Sequence, residues 1–474
     1  MNSPFPLLER RRLLKIGALT VTAGFLPQSL PKIRAAAGER ITPRASAECV
    51  IFVNLCGSPS QMDTFDVKVS KSTPEDLDVR THPIAGKWSY GLLPKLAEVL
   101  PHAAIVRSMG AWETLHILGQ FYQQVGHQFN AARATEMPCI GSVIAHELHA
   151  KAKESDFLPP FVSMNFPAST VNGALIREGF LGGHASPLTF DLGNGLNIPF
   201  VLQPGDKPRF DRRLALLQDF DSSRKLSGPG VSQRLGEWKA LTEGSLKMMR
   251  SPKVAEIFTL SDADRQRYGG TTFGDSCLIT RNLVAANAGV KYILLNQDGW
   301  DHHSRIYGKD DAPRGESPMI RGGLYKNCYE LDRGLGALIA DLAATKASDG
   351  KSSLLDKTFV LAMGEFGRTP GDLNDVKGRD HWPDVRAGLF FGGGVKGGRV
   401  IGATDEKAGK ITNFDWHKNR TIYPEDVTAT IYSVLGIDWT KKLQGAPSGR
   451  DFEYVEPMSG TSFLGSTEVS ELFA

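Results

Sequence analysis

Apolar runs of strand length alternate along most of the chain with segments of helical periodicity. Glu48 to Leu55 is a short β-branched run that breaks at Gly57-Ser58-Pro59-Ser60, which predicts a buried strand feeding a loop. Ala103 to Met109, Val290 to Leu295, Lys357 to Met363 and Ala387 to Phe391 repeat the strand pattern. Helices are predicted over Leu92 to Leu100, Ile140 to Leu148, Tyr329 to Leu342 and Pro424 to Gly436, the last opened by proline and acids and closed by glycine. Strand, polar cluster and helix recur in that order, which predicts an α/β fold with a doubly wound, mostly parallel sheet. From 156 to 253 the chain is richer in Pro, Gly and polar residues with weaker periodicity, and is expected to form an inserted cap region. The main domain is expected over 48–450, followed by a C-terminal tail at 451–474.

The polar residues concentrate just past the predicted strands, the edge at which open α/β sheets bind ligands. Ser58, Ser60 and Asp63 follow the first strand; Asp301, His302 and His303 follow Val290 to Leu295; Glu365 and Arg368 follow Lys357 to Met363; Asp380 and His381 precede Ala387 to Phe391. Imidazoles mixed with carboxylates are what borderline divalent ions take, so these clusters are expected to converge, either on a metal site or as a polar network of the same composition without metal. Arg368 offers a planar fork to a tetrahedral anion. His302 is expected to point away from its neighbour His303, because adjacent side chains of an extended segment face opposite sides. His116 lies in a predicted loop, where ligand and structural roles are both open. Ser58 and Ser60 are candidate nucleophiles, though small hydroxyls in a Gly-Pro loop also serve as turn formers. The run Gly392-Gly393-Gly394 is followed by no phosphate-binding pattern and predicts a turn. Asp332 and Asp341 are expected on the solvated face of their helix.

Composition narrows the partners. A net charge of +3 on 474 residues, with no dense Lys/Arg stripe, argues against nucleic acid. The five cysteines are scattered without CxxC spacing, which argues against a disulfide framework. Arg10-Arg11-Arg12-Leu13-Leu14-Lys15, an apolar stretch from Ile16 to Leu26, and Ala35-Ala36-Ala37 follow the order of a signal peptide. The arrangement resembles a twin-arginine signal over residues 1–37, with Glu9 where a serine or threonine is usual. It implies recognition by the twin-arginine export machinery and a periplasmic or otherwise exported mature protein. The apolar stretch is too short to span a bilayer, and no transmembrane anchor is expected in the mature protein.

GSPSQMDTFD after the first strand, then GWDHHS, GEFGRTP, GRDHWP, GGGVKGGRVIGATD and EDVTATIYSVLGID, together resemble the bacterial DUF1501 family, a branch of the alkaline phosphatase and sulfatase superfamily. The resemblance runs from about Cys49 to Asp438. It implies an alkaline phosphatase-like sheet and one or two divalent ions, Zn, Mn or Ca. Asp301, His303, Glu365 and His381 match the ligand motifs, with Asp63 or a serine of its loop for the first-strand ligand, Asp380 a ligand or an orienter of ligands, and His116 a further candidate. Phe366 stands where a ligating histidine is usual, and Cys56-Gly57-Ser58-Pro59-Ser60 lacks the arginine and proline placement of formylglycine sulfatases. The expected function is an exported metal-dependent hydrolase of phosphate or sulfate esters, acting on a small ester or a sulfated or phosphorylated glycan. The alternative is a non-catalytic relative that binds a glycan or an envelope partner.

Overall fold

The computed structural model describes residues 41–165, 170–171, 174–193, 204–223, 242–308, 323–456 and 465–474. Segment 1–37 lies outside them, as do parts of the stretch read as a cap and of the C-terminal tail. The compact unit Thr42–Ala474 is built on an eight-stranded sheet.

Its strands are β1 (Cys49–Leu55), β2 (Ala103–Met109), β3 (Phe161–Met164), β4 (Leu188–Phe190), β5 (Tyr292–Gln297), β6 (Thr358–Met363), β7 (Arg386–Phe391) and β8 (Arg399–Ile401). They lie in the order β8-β2-β7-β6-β1-β5-β3-β4. All neighbouring pairs are parallel except those of β7, which runs antiparallel to both β6 and β2. The fold is therefore α/β with a large, mostly parallel central sheet. Every residue of β1, β5, β6 and β7 is buried, which explains why these strands read as unbroken apolar runs rather than alternating ones.

Helices cover the sheet. Ile51, Val53 and Leu55 of β1 join a core that includes Phe273, Cys277, Leu278 and Leu283 of helix Thr272–Ala286 and Leu331, Leu335, Leu338 and Ile339 of helix Gly323–Ala344. Helix Ile140–Leu148 lies elsewhere, tight on the rings of Tyr292 and Phe161: a Cβ at Gly141 would stand 2.6 Å from Tyr292 and 2.7 Å from Phe161. All eleven residues of helix Pro424–Val434 are buried. None of the helices among the described residues is long and apolar enough to cross a membrane.

Three expectations change. Within the stretch read as a cap, Phe161–Met164 and Leu188–Phe190 are strands of the central sheet, too short to announce themselves by periodicity. Residues 465–474 include Val469 and Leu472, both buried, with Val469 N–H donating to Thr430 Oγ1 at 2.9 Å, so this end of the tail is part of the packed unit. Asp332 is buried rather than solvated and accepts Leu96 N–H at 2.8 Å; Asp341 accepts from Arg267, Tyr268 and Arg281.

Candidate metal centre

The β1 loop is tied by backbone contacts to the end of β5 and the loop that leaves it. Cys56 N–H donates to Gln297 O at 2.8 Å, and Trp300 N–H to Cys56 O at 3.1 Å. Gly57, at φ +95°, lets the β1 loop close on the Trp300–Asp301 backbone; a Cβ there would stand 2.5 Å from Asp301 N. After β6, Gly367–Arg368 pairs antiparallel with His381–Trp382, setting Arg368 opposite His381. His116 opens helix His116–Val125 instead of lying in a loop, and Gly119 lets that helix rest on Glu365, whose Cβ would lie 2.9 Å from a methyl at that position.

These supports bring His116, Asp301, His303 and His381 together, with one ligand atom from each within 4.8 Å of all the others. Asp301 Oδ1 lies 3.0 Å from His116 Nε2, 3.0 Å from His303 Nε2 and 3.7 Å from His381 Nε2, while the Nε2 atoms of His303 and His381 are 2.8 Å apart.

The other nitrogen of each ring fixes the tautomer. His116 Nδ1 faces Glu365 Oε1 at 2.5 Å, His303 Nδ1 faces Asp380 Oδ1 at 2.8 Å, and His381 Nδ1 faces the Thr114 carbonyl at 2.5 Å. All three partners are acceptors, so each Nδ1 is assigned the proton and each Nε2 of a neutral ring is left with a lone pair. With all three rings neutral, three lone pairs and a carboxylate oxygen converge; a protonated His116 would instead donate Nε2–H to Asp301 Oδ1 at 3.0 Å. Acceptors aimed at acceptors repel unless a cation lies among them, and histidines anchored at Nδ1 by carboxylates or carbonyls are the usual arrangement around a metal.

Electrostatics follow the same geometry. Burial raises the Asp301 carboxyl, but hydrogen bonding to Arg368 Nη2 at 2.6 Å and the nearby His116 outweigh it and hold the group at about 2. Burial lowers His116, yet Glu365 and Asp301 shift it upward overall. His381 is lowered, chiefly by burial and then by the charges of Arg368 and His116. His302 is buried, stands outside the four, and is pushed down to about 4 mainly by that burial.

The remaining candidates take other places. Glu365 is buried and grips His116 with one oxygen, which also accepts Gly57 N–H at 3.2 Å, while its second oxygen accepts Gln120 Nε2 at 2.8 Å. Asp380 sits behind His303, and Asn374 Nδ2 approaches its second oxygen at 3.3 Å. Both carboxylates hold histidine rings of the group and stand outside the four. Asp63 stands apart, buried in an ion pair with Arg379 Nε at 2.7 Å and accepting Tyr307 Oη at 2.5 Å. Arg368 is buried with its fork committed to the carbonyls of Ser58, Gly57 and Arg379 and to Asp301, so it braces the centre from below and presents no open face to an anion. Ser58 is fully buried at φ +60°, its Oγ accepting Phe366 N–H at 3.0 Å, and Ser60 Oγ is buried without a hydrogen-bond partner among the described residues. Neither serine has the exposure of a nucleophile.

The residues that motif reading passed over are Gln120 and Thr114. Gln120 carries one signal, since it lies one helical turn from His116. Thr114 acts through a carbonyl and has no side-chain signature.

A mostly parallel α/β sheet with a histidine–carboxylate centre at the carboxyl ends of its strands defines the class. The chain belongs to the DUF1501 family, a protein family of unknown function, which matches residues 47–462. No curated protein matches it. It is similar to a solved phosphonate monoester hydrolase from Silicibacter pomeroyi at 11% identity, covering 90% of this chain and 76% of that one with a TM-score of 0.39. It is also similar to a protein of the alkaline phosphatase superfamily from Vibrio parahaemolyticus at 14% identity, covering 84% and 69% with a TM-score of 0.36. A third likeness is to the lipoteichoic acid synthase of Listeria monocytogenes, at 11% identity, 90% and 78% coverage and a TM-score of 0.37. The fold class rests on the sheet itself.

Proposed function

We propose that the chain is an exported, metal-dependent hydrolase of phosphate or sulfate esters, with His116, Asp301, His303 and His381 as the metal ligands. One observation carries the reading: the Nε2 atoms of three imidazoles, each ring held by an acceptor at Nδ1, lie 3.0, 3.0 and 3.7 Å from a single oxygen of Asp301. The donor set of three nitrogens and one carboxylate oxygen suits Zn²⁺, and Mn²⁺ less well. Ca²⁺ takes about six to eight oxygens and is disfavoured here. A divalent ion held by these four residues would supply Lewis acidity toward the ester oxygen and would make water a stronger nucleophile at neutral pH.

The chain's own residues do the rest. Glu365, Asp380 and the Thr114 carbonyl hold the three rings in one tautomer. Arg368 keeps Asp301 as the carboxylate. Burial of both loop serines favours water over a protein hydroxyl as the nucleophile. Burial, followed by the charges of Glu365 and Asp298, raises the Cys56 thiol well above its ordinary value, which disfavours a thiolate there as well. Export rests on the basic, apolar and small-residue sequence of segment 1–37.

The test is a screen of aryl phosphates, phosphodiesters and aryl sulfates with zinc-loaded and manganese-loaded protein, alongside His381→Ala. Turnover of one ester class that disappears in His381→Ala is expected. Turnover surviving in that variant overturns the assignment of His381 as a required metal ligand, and none with any ester on metal-loaded protein overturns the hydrolase reading.

A further inference from the structure

We infer that the centre takes one divalent ion per chain, with the Arg368 guanidinium holding the Asp301 oxygen that a second cation could otherwise share. The inference rests on the proposed metal reading and goes beyond it by settling the number.

Two-metal hydrolytic centres place their ions about 3.5–4 Å apart, close enough for one carboxylate oxygen to serve both, and the second ion needs donors of its own. Here the oxygen that faces the imidazoles, Asp301 Oδ1, already accepts Arg368 Nη2 at 2.6 Å. Arg368 cannot swing aside at little cost. It is 1% exposed, and its Nε donates to Ser58 O at 3.2 Å, its Nη1 to Arg379 O at 3.1 Å and its Nη2 also to Gly57 O. A guanidinium does not lose its charge in a protein, so a second ion sharing that oxygen would meet a permanent positive charge.

Among the described residues, the carboxylates of the β1 and β6 loops are engaged by protein donors, and Asp380 has one oxygen on His303 Nδ1 and the other approached by Asn374 Nδ2 at 3.3 Å. Asp63 has one oxygen on Arg379 and the other on Tyr307. Glu365 has one on His116 and Gly57 N–H, and the other on Gln120. Asp66, further along the same loop, is engaged by Arg107 Nε at 3.2 Å, Lys68 Nζ at 3.0 Å and the Thr404 hydroxyl. Among the described residues, His116, Asp301, His303 and His381 form the one group of such donors close enough to hold an ion.

The measurement is metal content of the full chain after loading with excess Zn²⁺ or Mn²⁺ and exhaustive dialysis, paired with Co²⁺ titration of the chelator-stripped protein followed by visible absorption. One equivalent, with the Co²⁺ spectrum saturating at one, is expected. Two tightly held equivalents overturn the single-ion inference while leaving the metal reading intact. Less than about a tenth of an equivalent overturns the metal reading itself, and the inference falls with it. Asp63→Asn and the milder Tyr307→Phe, which keeps the Asp63–Arg379 pair, are both expected to retain one equivalent. Loss of the ion in Tyr307→Phe would make the Asp63 neighbourhood part of the site and overturn the inference even if Asp63→Asn fails to fold.

Discussion

Asp301 and Asp341 are both aspartates that face arginines, yet their surroundings differ in kind. Around Asp341 every close group is a donor: Arg267 Nη1 and Nη2 at 2.8 and 2.6 Å, Tyr268 Oη at 2.8 Å and Arg281 Nη1 at 3.1 Å. That network completes itself with protein atoms. Around Asp301 a single strong donor, Arg368, is outnumbered by three imidazole nitrogens whose protons are assigned to the far side of each ring. Composition does not separate the two clusters, since both hold acids and bases. The direction of the hydrogen bonds does: the Asp341 network matches donors to acceptors, whereas the tautomers assigned around Asp301 set acceptors facing each other.

The contrast is broken most sharply by treating both clusters alike. His303→Ala is expected to leave less than about a tenth of an equivalent of metal and to lower ester turnover on the order of a thousandfold, because one of four ligands is gone. Its metal-free stability should be unchanged or improved, since the removal relieves lone-pair crowding. Asp341→Ala should do the reverse. Losing the carboxylate leaves Arg267, Arg281 and Tyr268 without their shared acceptor and is expected to cost about 2–3 kcal/mol in urea unfolding, with metal content intact. Equal loss of stability in the two variants would remove the distinction drawn between them.

A smaller effect tests the orienting carboxylates. Asp380→Asn keeps the shape behind His303 but replaces the anion that accepts its Nδ1–H at 2.8 Å. Orienting partners of this kind are typically worth about 10–100-fold in metal affinity. Competition against a chromogenic chelator is expected to show a loss in that range with one equivalent still bound at saturation. No change would reduce Asp380 to a surface partner, and complete loss would make it a ligand.

Much of this was legible before the fold was in hand, and the reasons for success and failure are physical. Cys49–Leu55 and Thr358–Met363 are buried along their whole length, so apolar runs marked them, and the polar residues just beyond them fell at the sheet's functional edge. Phe161–Met164 and Leu188–Phe190 have four and three residues, too few for a period to show. Ligand and orienter were harder to tell apart. Glu365 and His381 both sit in motifs of the right chemistry, but only the register of Gly367–Arg368 against His381–Trp382 turns the His381 ring into the centre, while Glu365 reaches it through His116. Asp332 is a missed signal. It lies four residues after Cys328 and three before Leu335, both fully buried, so the helical period places it on the apolar stripe rather than in water.

That misplaced aspartate gives the smallest and cleanest test of the rule about satisfied and unsatisfied groups. Burial raises Asp332 from 3.8 to about 7, only partly offset by the backbone N–H groups of Leu96 and Lys95. The folded chain therefore holds a proton that the unfolded chain releases between those values. The stability owed to this group is fully present below about pH 4 and falls as the pH rises toward 7, by at most about 1.4 kcal/mol per pH unit, and is flat above that. Glu425, raised to about 7 chiefly by burial, contributes with the same sign. Asp332→Asn retains an acceptor for Leu96 N–H and has no proton to lose. In urea unfolding with chelator present, which removes metal binding from the comparison, wild type is expected to lose about 1 kcal/mol more than Asp332→Asn between pH 5 and pH 6. Parallel profiles would mean that Asp332 is charged in the folded chain across this range, and that its one strong backbone donor satisfies it as fully as three side chains satisfy Asp341.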